Sequence, residues 1–390
     1  MSTESDTPFN IARVEFTSFH VHGSHQWVFV EITDDDGNTG LAELAGPGAT
    51  TEIARLTAQY AERLRLSPPI SESDVTSQLG LTVEELEGNR TKATTVSALR
   101  TAIADAQARR SGVSLGEFLG GQRTKSVQLY GNMNRSMLPD DDGPRDRTPE
   151  AFAAAAREAI RRGYEVVKCA PFDEVRSPFE EPGLPESARA GIKRILAVRE
   201  AIGPDVSLFV DCHSRFDLDS GIALEIFLQE ANVAWYEEAV DGIKQPDVMK
   251  RIRERATMDV AGAESGYGVG LFRRIIEGDV MDVVMPDIKF CGGAGEAVEI
   301  GRVLEAIAPG SVSMHSPSGP ASQLASAHVT AAFGGTRPLE HAWGEVEWRP
   351  SVLEPAERIE SGRIYIPDGP GLGAKLDQST VDARGRHWTL

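Results

Sequence analysis

Short apolar runs and amphipathic stretches alternate along most of the chain, and the alternation changes character near Ser126. Before that point, Ile11 to Phe19, Trp27 to Thr33 and Thr39 to Leu44 carry the β-branched and aromatic residues of strands. Asp34-Asp-Asp-Gly-Asn38 separates the last two and supplies hairpin turn chemistry. Helical spacing follows from about Thr51 to Leu66. It returns from Thr94 to Arg110, where Val96, Leu99, Ile103 and Ala106 share a face. Gly120-Gly121 closes this block.

After Ser126 short strands and helices take regular turns. The strand candidates are Val127 to Gly131, Glu165 to Cys169, Ser207 to Cys212, Val233 to Glu238, Val260 to Glu264, Val283 to Pro286, Val312 to His315 and Leu339 to Ala342. Helical stretches such as Pro149 to Arg162, Glu186 to Ile202 and Gly221 to Glu230 lie between them. Eight strands separated by helices predict an α/β fold, a (β/α)₈ TIM-type barrel in preference to a doubly wound sheet. No Gly-x-Gly-x-x-Gly follows the early strands, which removes the main support for a dinucleotide fold. Three regions are expected. They are an α+β capping domain over 1–125, the barrel over 126–355, and a tail over 356–390 that returns to the cap through Ile364-Tyr-Ile-Pro-Asp-Gly-Pro-Gly371.

Composition narrows the function. Forty basic against fifty-nine acidic residues give a net charge of −19, and only eight of the basic residues are lysine. Such a surface repels phosphate backbones and anionic membranes, so nucleic-acid and membrane partners are not expected. The polar start Met1-Ser-Thr-Glu-Ser-Asp-Thr7 lacks the halves of a signal peptide, and no apolar run could span a bilayer; a cytoplasmic location is expected. Cys169, Cys212 and Cys291 have neither the number nor the spacing of a disulfide framework or a zinc cluster.

In a barrel of this kind the chemistry sits at the C-terminal ends of the strands. Lys168, Asp211, His213, Glu237, Glu264, Asp287, His315 and Glu340 all stand there. Asp211, Glu237 and Glu264 come from successive strands, one βα unit apart, so their carboxylates can converge. Without a cation they would repel one another, and an all-oxygen set suits a hard divalent ion, Mg²⁺ before Zn²⁺. His213 follows Asp211 by two residues, so strand alternation points both to one side and leaves Cys212 to the helices. Asp287 can accept the ring N–H of His315 and fix its tautomer. Two histidines beside a metal triad predict an acid/base pair.

The series Asp-x-His, Glu237-Glu238, Ala261-Gly-Ala-Glu264, Met285-Pro-Asp-x-x-x-x-Gly-Gly293 and Met314-His-Ser-Pro-Ser-Gly-Pro320 resembles the enolase superfamily. It looks most like the mandelate racemase subgroup and its acid-sugar dehydratases of the galactonate type. Leu115-Gly-Glu-Phe-Leu-Gly-Gly121 resembles the end of that family's capping domain, and Pro367-Asp-Gly-Pro-Gly-Leu-Gly373 its C-terminal return. The resemblance implies Asp211, Glu237 and Glu264 as Mg²⁺ ligands, His315 with Asp287 as general base, and His213 as general acid. It implies that Glu340 bonds the substrate carboxylate, and that the protein is a homo-oligomer. Many relatives carry Lys-x-Lys on the second strand. Here Cys169 and Ala170 follow Lys168, leaving Lys168 as an orienting cation.

The implied reaction removes the proton α to a carboxylate, expels the β-hydroxyl and yields a 2-keto-3-deoxy acid. A racemase or epimerase using both histidines, or a catalytically silent metal-binding relative, are the competing readings. Arg215 is a candidate for a distal hydroxyl and equally for a solvated arginine. His22, with His20 and His25 in the first cap loop, is a candidate for the polyol end of the substrate, against the more ordinary reading of a solvated loop with no role.

Overall fold

Residues in the strands after Ser126 alternate between the inside of a ring and the surrounding helices. The computed structural model describes residues 7–23, 25–44, 50–121, 124–137 and 146–390; the polar start at 1–6 lies outside them. Parallel strands Ser126–Asn132, Val166–Cys169, Ser207–Asp211, Val233–Glu237, Asp259–Gly262 and Val283–Val284 pair in chain order. Val312 continues the ring through a bridge to Val284, and Leu339–Ala342 closes it against the first strand. The seventh strand expected at Val312 to His315 is therefore a single bridge, with the His315 N–H donating to the Pro286 carbonyl at 3.1 Å. Pro286 and Pro317 lack the N–H groups that a longer ladder would use.

Tyr130, Phe209, Trp235, Ala261, Val283 and Met285 fill the inside of the ring. Phe209 stacks on Trp235 at 4.5 Å, and Tyr130 meets Phe209 edge-on at 5.4 Å. This aromatic floor decides what comes next. Asn132, Asp211 and Glu237 stand two residues after Tyr130, Phe209 and Trp235, and Lys168 stands two after Val166. Period-two alternation places all four directly above the floor.

The cap is a four-stranded antiparallel sheet. Gly385–Thr389 lies beside Ile11–His22, followed by His25–Asp34 and Thr39–Leu44. Helix Arg90–Arg110 packs on it, and its buried Asp105 accepts the N–H groups of Leu41 at 2.8 Å and Leu372 at 2.7 Å. The C-terminal tail divides its pairing: Arg363–Tyr365 pairs antiparallel with the start of the first barrel strand, and Gly385–Thr389 joins the cap sheet. All three cysteines are buried and unpaired. No described helix is long and apolar enough to cross a membrane.

His328 lies on helix Pro320–Phe333. Its Nδ1 accepts the Gly116 N–H at 3.2 Å, so Nε2 carries the proton and donates to the Leu372 carbonyl at 3.2 Å. Barrel, cap and tail thus meet on one neutral imidazole. Burial pulls its pKa down to about 4, against the raising effect of the Leu372 carbonyl. The unfolded chain binds this proton near pH 6.5 and the folded chain does not. Stability from His328 is therefore complete above pH 6.5 and declines as the pH falls to about 4, by about 3 kcal/mol. Urea unfolding across that window should show a shallower pH dependence in His328→Gln than in the wild type. Parallel curves would contradict the account.

Candidate active site

Lys168 is fully buried, and its Nζ lies 2.7 Å from Glu237 Oε1, 2.7 Å from Glu340 Oε1 and 3.8 Å from Asp211 Oδ2. Burial works against its charge, but Glu237 and Glu340 hold its pKa well above the ordinary lysine range. The ammonium is the hub of the layer above the floor. Glu237 also accepts the Trp235 indole N–H at 3.0 Å. Glu340 accepts from Asn132 Nδ2 at 2.6 Å and from the Ser316 N–H at 3.0 Å.

One layer higher, each histidine faces a carboxylate. His315 Nδ1 lies 2.8 Å from Asp287 Oδ2, and its Nε2 lies 2.8 Å from Glu264 Oε2 and 3.7 Å from Glu340 Oε2. Burial opposes its charge, yet Glu264, Glu340 and Asp287 together raise its pKa well above the usual value. His213 Nε2 lies 3.0 Å from Asp211 Oδ2, and its Nδ1 lies 3.0 Å from Asp173 Oδ1. Asp211 is the main cause of its raised pKa. His213 reaches this place by a different route from strand alternation. The strand ends at Asp211, and His213 and Ser214 take left-handed backbone, φ 47° and 56°. The His213 N–H then donates to Asp211 Oδ1 at 2.9 Å, closing the turn on the carboxylate.

A cavity of about 310 Å³ lies over these groups. Asp211, His213, Glu264, Asp287, His315 and Glu340 line it from the barrel, and His25 lines it from the cap. Lys168, Glu237, Arg215 and His22 are not among the lining residues. Lys168 and Glu237 lie beneath, bonded to each other, and His22 packs behind His25 with ring centroids 5.5 Å apart.

Sequence reasoning passed over four groups here. Asp173 holds His213 but sits in a loop with no periodic signal. Lys289, lining the cavity, stands 3.6 Å from Asp287 and donates to the Ser318 hydroxyl. Asn132 stands one residue past the end expected for the first barrel strand and carries no charge to mark it. Glu238 takes left-handed backbone, φ 42°, immediately after the Glu237 strand. Burial, Glu264 and Asp211 push its pKa up to about 8. Doubled carboxylates in Glu237-Glu238 were its only signal.

Asp211, Glu237, Glu238 and Glu264 crowd four carboxyl groups together, closely enough that Glu264 and Asp211 help to raise the Glu238 pKa, and every donor is a hard oxygen. That chemistry fits a divalent cation. Among the described residues, however, no three carboxylates, histidines or cysteines already stand at ligand spacing. Histidine and lysine nitrogens occupy the carboxylates instead.

Known proteins share this framework. D-xylonate dehydratase of Haloferax volcanii is 26% identical over 379 residues, covering 93% of this chain and 86% of the relative. D-galactarolactone cycloisomerase of Agrobacterium fabrum is 28% identical, covering 96% of this chain and 94% of that one. The crystal structure of a mandelate racemase/muconate lactonizing enzyme-like protein from Rubrobacter xylanophilus superposes with a TM-score of 0.83 at 25% identity, covering 97% of this chain and 98% of that structure. The enolase C-terminal domain-like family model matches residues 151–380, which contain all the charged groups of the layers above the floor, and the chain belongs to that family.

Proposed function

We propose that the protein is a sugar acid dehydratase that abstracts the proton α to the substrate carboxylate and expels the β-hydroxyl. The carrying observation is the pair of histidines on one cavity, each oriented by its own carboxylate: His315 by Asp287 and His213 by Asp173. A ring nitrogen bonded to a carboxylate is held in one tautomer and made more basic. The dehydratase names of several relatives, including those acting on D-xylonate and D-galactonate, support the same reading.

His315 takes the α-proton at Nε2, while Asp287 at Nδ1 stabilises the imidazolium that forms. His213 delivers a proton to the departing hydroxyl, and the enol left behind tautomerises to a 2-keto-3-deoxy acid. Asp211 and Glu264, with Glu237 beneath them, would hold a divalent cation, Mg²⁺ for this donor set. Such an ion would supply the charge that stabilises an enediolate. Glu340, Asn132 and Lys168 form one bonded unit beside His315, fixing the wall on which the substrate carboxylate rests. A racemase would also use two histidines, but it would return the α-proton and leave the hydroxyl in place.

Substrate screening with aldonic and aldaric acids should yield a ketone product. His315→Asn should lose both dehydration and α-proton exchange with deuterium oxide. His213→Asn should lose dehydration yet retain slow exchange, each loss being about 10²–10⁴-fold. Normal dehydration by His213→Asn together with exchange by His315→Asn would overturn both roles. An isomer of the substrate in place of a keto acid would make the protein a racemase or epimerase.

Chelation with EDTA should abolish turnover, and Mg²⁺ should restore it and raise the melting temperature. Glu264→Gln should remain folded and lose the metal-induced shift. Full turnover in thoroughly stripped protein would refute the metal assignment.

A further inference from the structure

Two barrel helices begin just after the base dyad: Gly293–Ile307 follows Asp287, and Pro320–Phe333 follows His315. Each has a glycine at its N-cap, Gly292 and Gly319, so neither has a capping side chain of its own. The first N–H groups of a helix need acceptors, which a serine, threonine or aspartate at that position normally supplies. Here the acceptors come from the capping domain. Glu43, on strand Thr39–Leu44, accepts from the Gly319 N–H at 2.8 Å and from the Ser322 N–H at 3.2 Å. On helix Arg90–Arg110, Ser97 Oγ accepts from the Gly292 N–H at 2.9 Å and Thr101 Oγ1 accepts from the Ala294 N–H at 3.0 Å.

This contact requires glycine at Gly319 and at Gly293, the first residue of the other helix. A Cβ on Gly319 would stand 2.8 Å from Glu43 Oε2 and 2.9 Å from Trp27 Cγ. One on Gly293 would stand 2.7 Å from the Ser97 carbonyl oxygen. The cap presses closely on Gly319 and Gly293, whereas at Gly292, with φ 114°, a Cβ would first meet the Glu296 side chain of its own helix at 2.8 Å. Glu43 is buried among barrel groups, and the segment it grips is fixed from below as well. The Ser316 N–H donates to Glu340, Lys289 donates to the Ser318 hydroxyl, and Arg349 Nη1 donates to the Ser318 carbonyl at 2.6 Å.

We infer that Glu43, Ser97 and Thr101 are positioning residues: the cap supplies the N-cap acceptors of the two helices that follow His315 and Asp287, so docking of the cap fixes the loops that hold the dyad. Cap and barrel are thereby coupled through backbone N–H groups as well as through a shared cavity. The kinetic side of this inference rests on the dehydratase reading. Its structural side does not.

Amide hydrogen exchange on the full chain tests the structural side. Glu43→Ala should speed exchange at 316–324 while leaving the remote barrel helices protected, and Thr101→Val should do so at 292–296. Kinetics test the consequence. Glu43→Ala should lower kcat on the order of 10²-fold with KM moving far less, because misplacing a base by a fraction of an ångström costs rate more than binding. Glu43→Gln keeps one carbonyl acceptor and should recover most of the rate, and it serves as the reporting variant if the alanine fails to fold. Arg274→Ala, which breaks the exposed cap–barrel ion pair to Glu87, should leave kcat unchanged. Faster exchange at 316–324 with an unchanged kcat would overturn the positioning role, as would an equal loss in Arg274→Ala. Unchanged exchange would overturn the capping itself. A wild type that dehydrates no sugar acid would count against the proposed reaction and leave the exchange result to decide the clamp.

Discussion

A single ammonium holds the mouth of this barrel together. Lys168 Nζ sits among Glu237, Glu340 and Asp211 in a place with no solvent, where each carboxylate alone would be forced to take up a proton. Its position follows from the aromatic floor below, since Tyr130, Phe209 and Trp235 leave only the next inward layer free for polar groups. Glu237 is tied to that floor by the Trp235 indole, and Glu340 is tied to the His315 loop by the Ser316 N–H. Removing the lysine would therefore disturb the site from both sides. The same geometry explains why Lys168 does not line the cavity, although it ends a strand as the other site residues do.

Charge in the upper layer is balanced by pairing carboxylates with imidazoles. His315 and His213 neutralise Glu264 and Asp211, while Asp287 and Asp173 hold their far ring nitrogens. Glu238, left over, has its pKa pushed up to about 8 by burial and by Glu264 and Asp211. A divalent cation shared by Asp211 and Glu264 would release both histidines from service as counter-ions.

Much of the barrel was legible because its signal is local. Apolar runs of strand length recur at one βα spacing, and ionisable residues stand at their ends. What escaped was whatever depends on backbone turning left-handed or on the other domain. His213 reaches the cavity because Ser214 and His213 itself leave the β region, which no alternation rule contains. The seventh strand read as a ladder because apolar content cannot register two prolines' missing donors. Glu43 read as an ordinary polar position in a cap strand, since its partners, Gly319 and Ser322, lie more than 270 residues away. Gly292 and Gly319 were read as motif letters; the packed cap gives Gly319 its reason, and left-handed backbone gives Gly292 its own.

The claim on which the rest depends is that Lys168 is the counter-ion of Glu237. A double-mutant cycle in urea unfolding at pH 7 measures it directly. Lys168→Met leaves two buried carboxylates without their cation and should cost about 3–5 kcal/mol. Adding Glu237→Gln should recover part of that loss, with a coupling of at least about 1.5 kcal/mol between the two positions. Additive losses, or a Lys168→Met variant as stable as the wild type, would contradict the account.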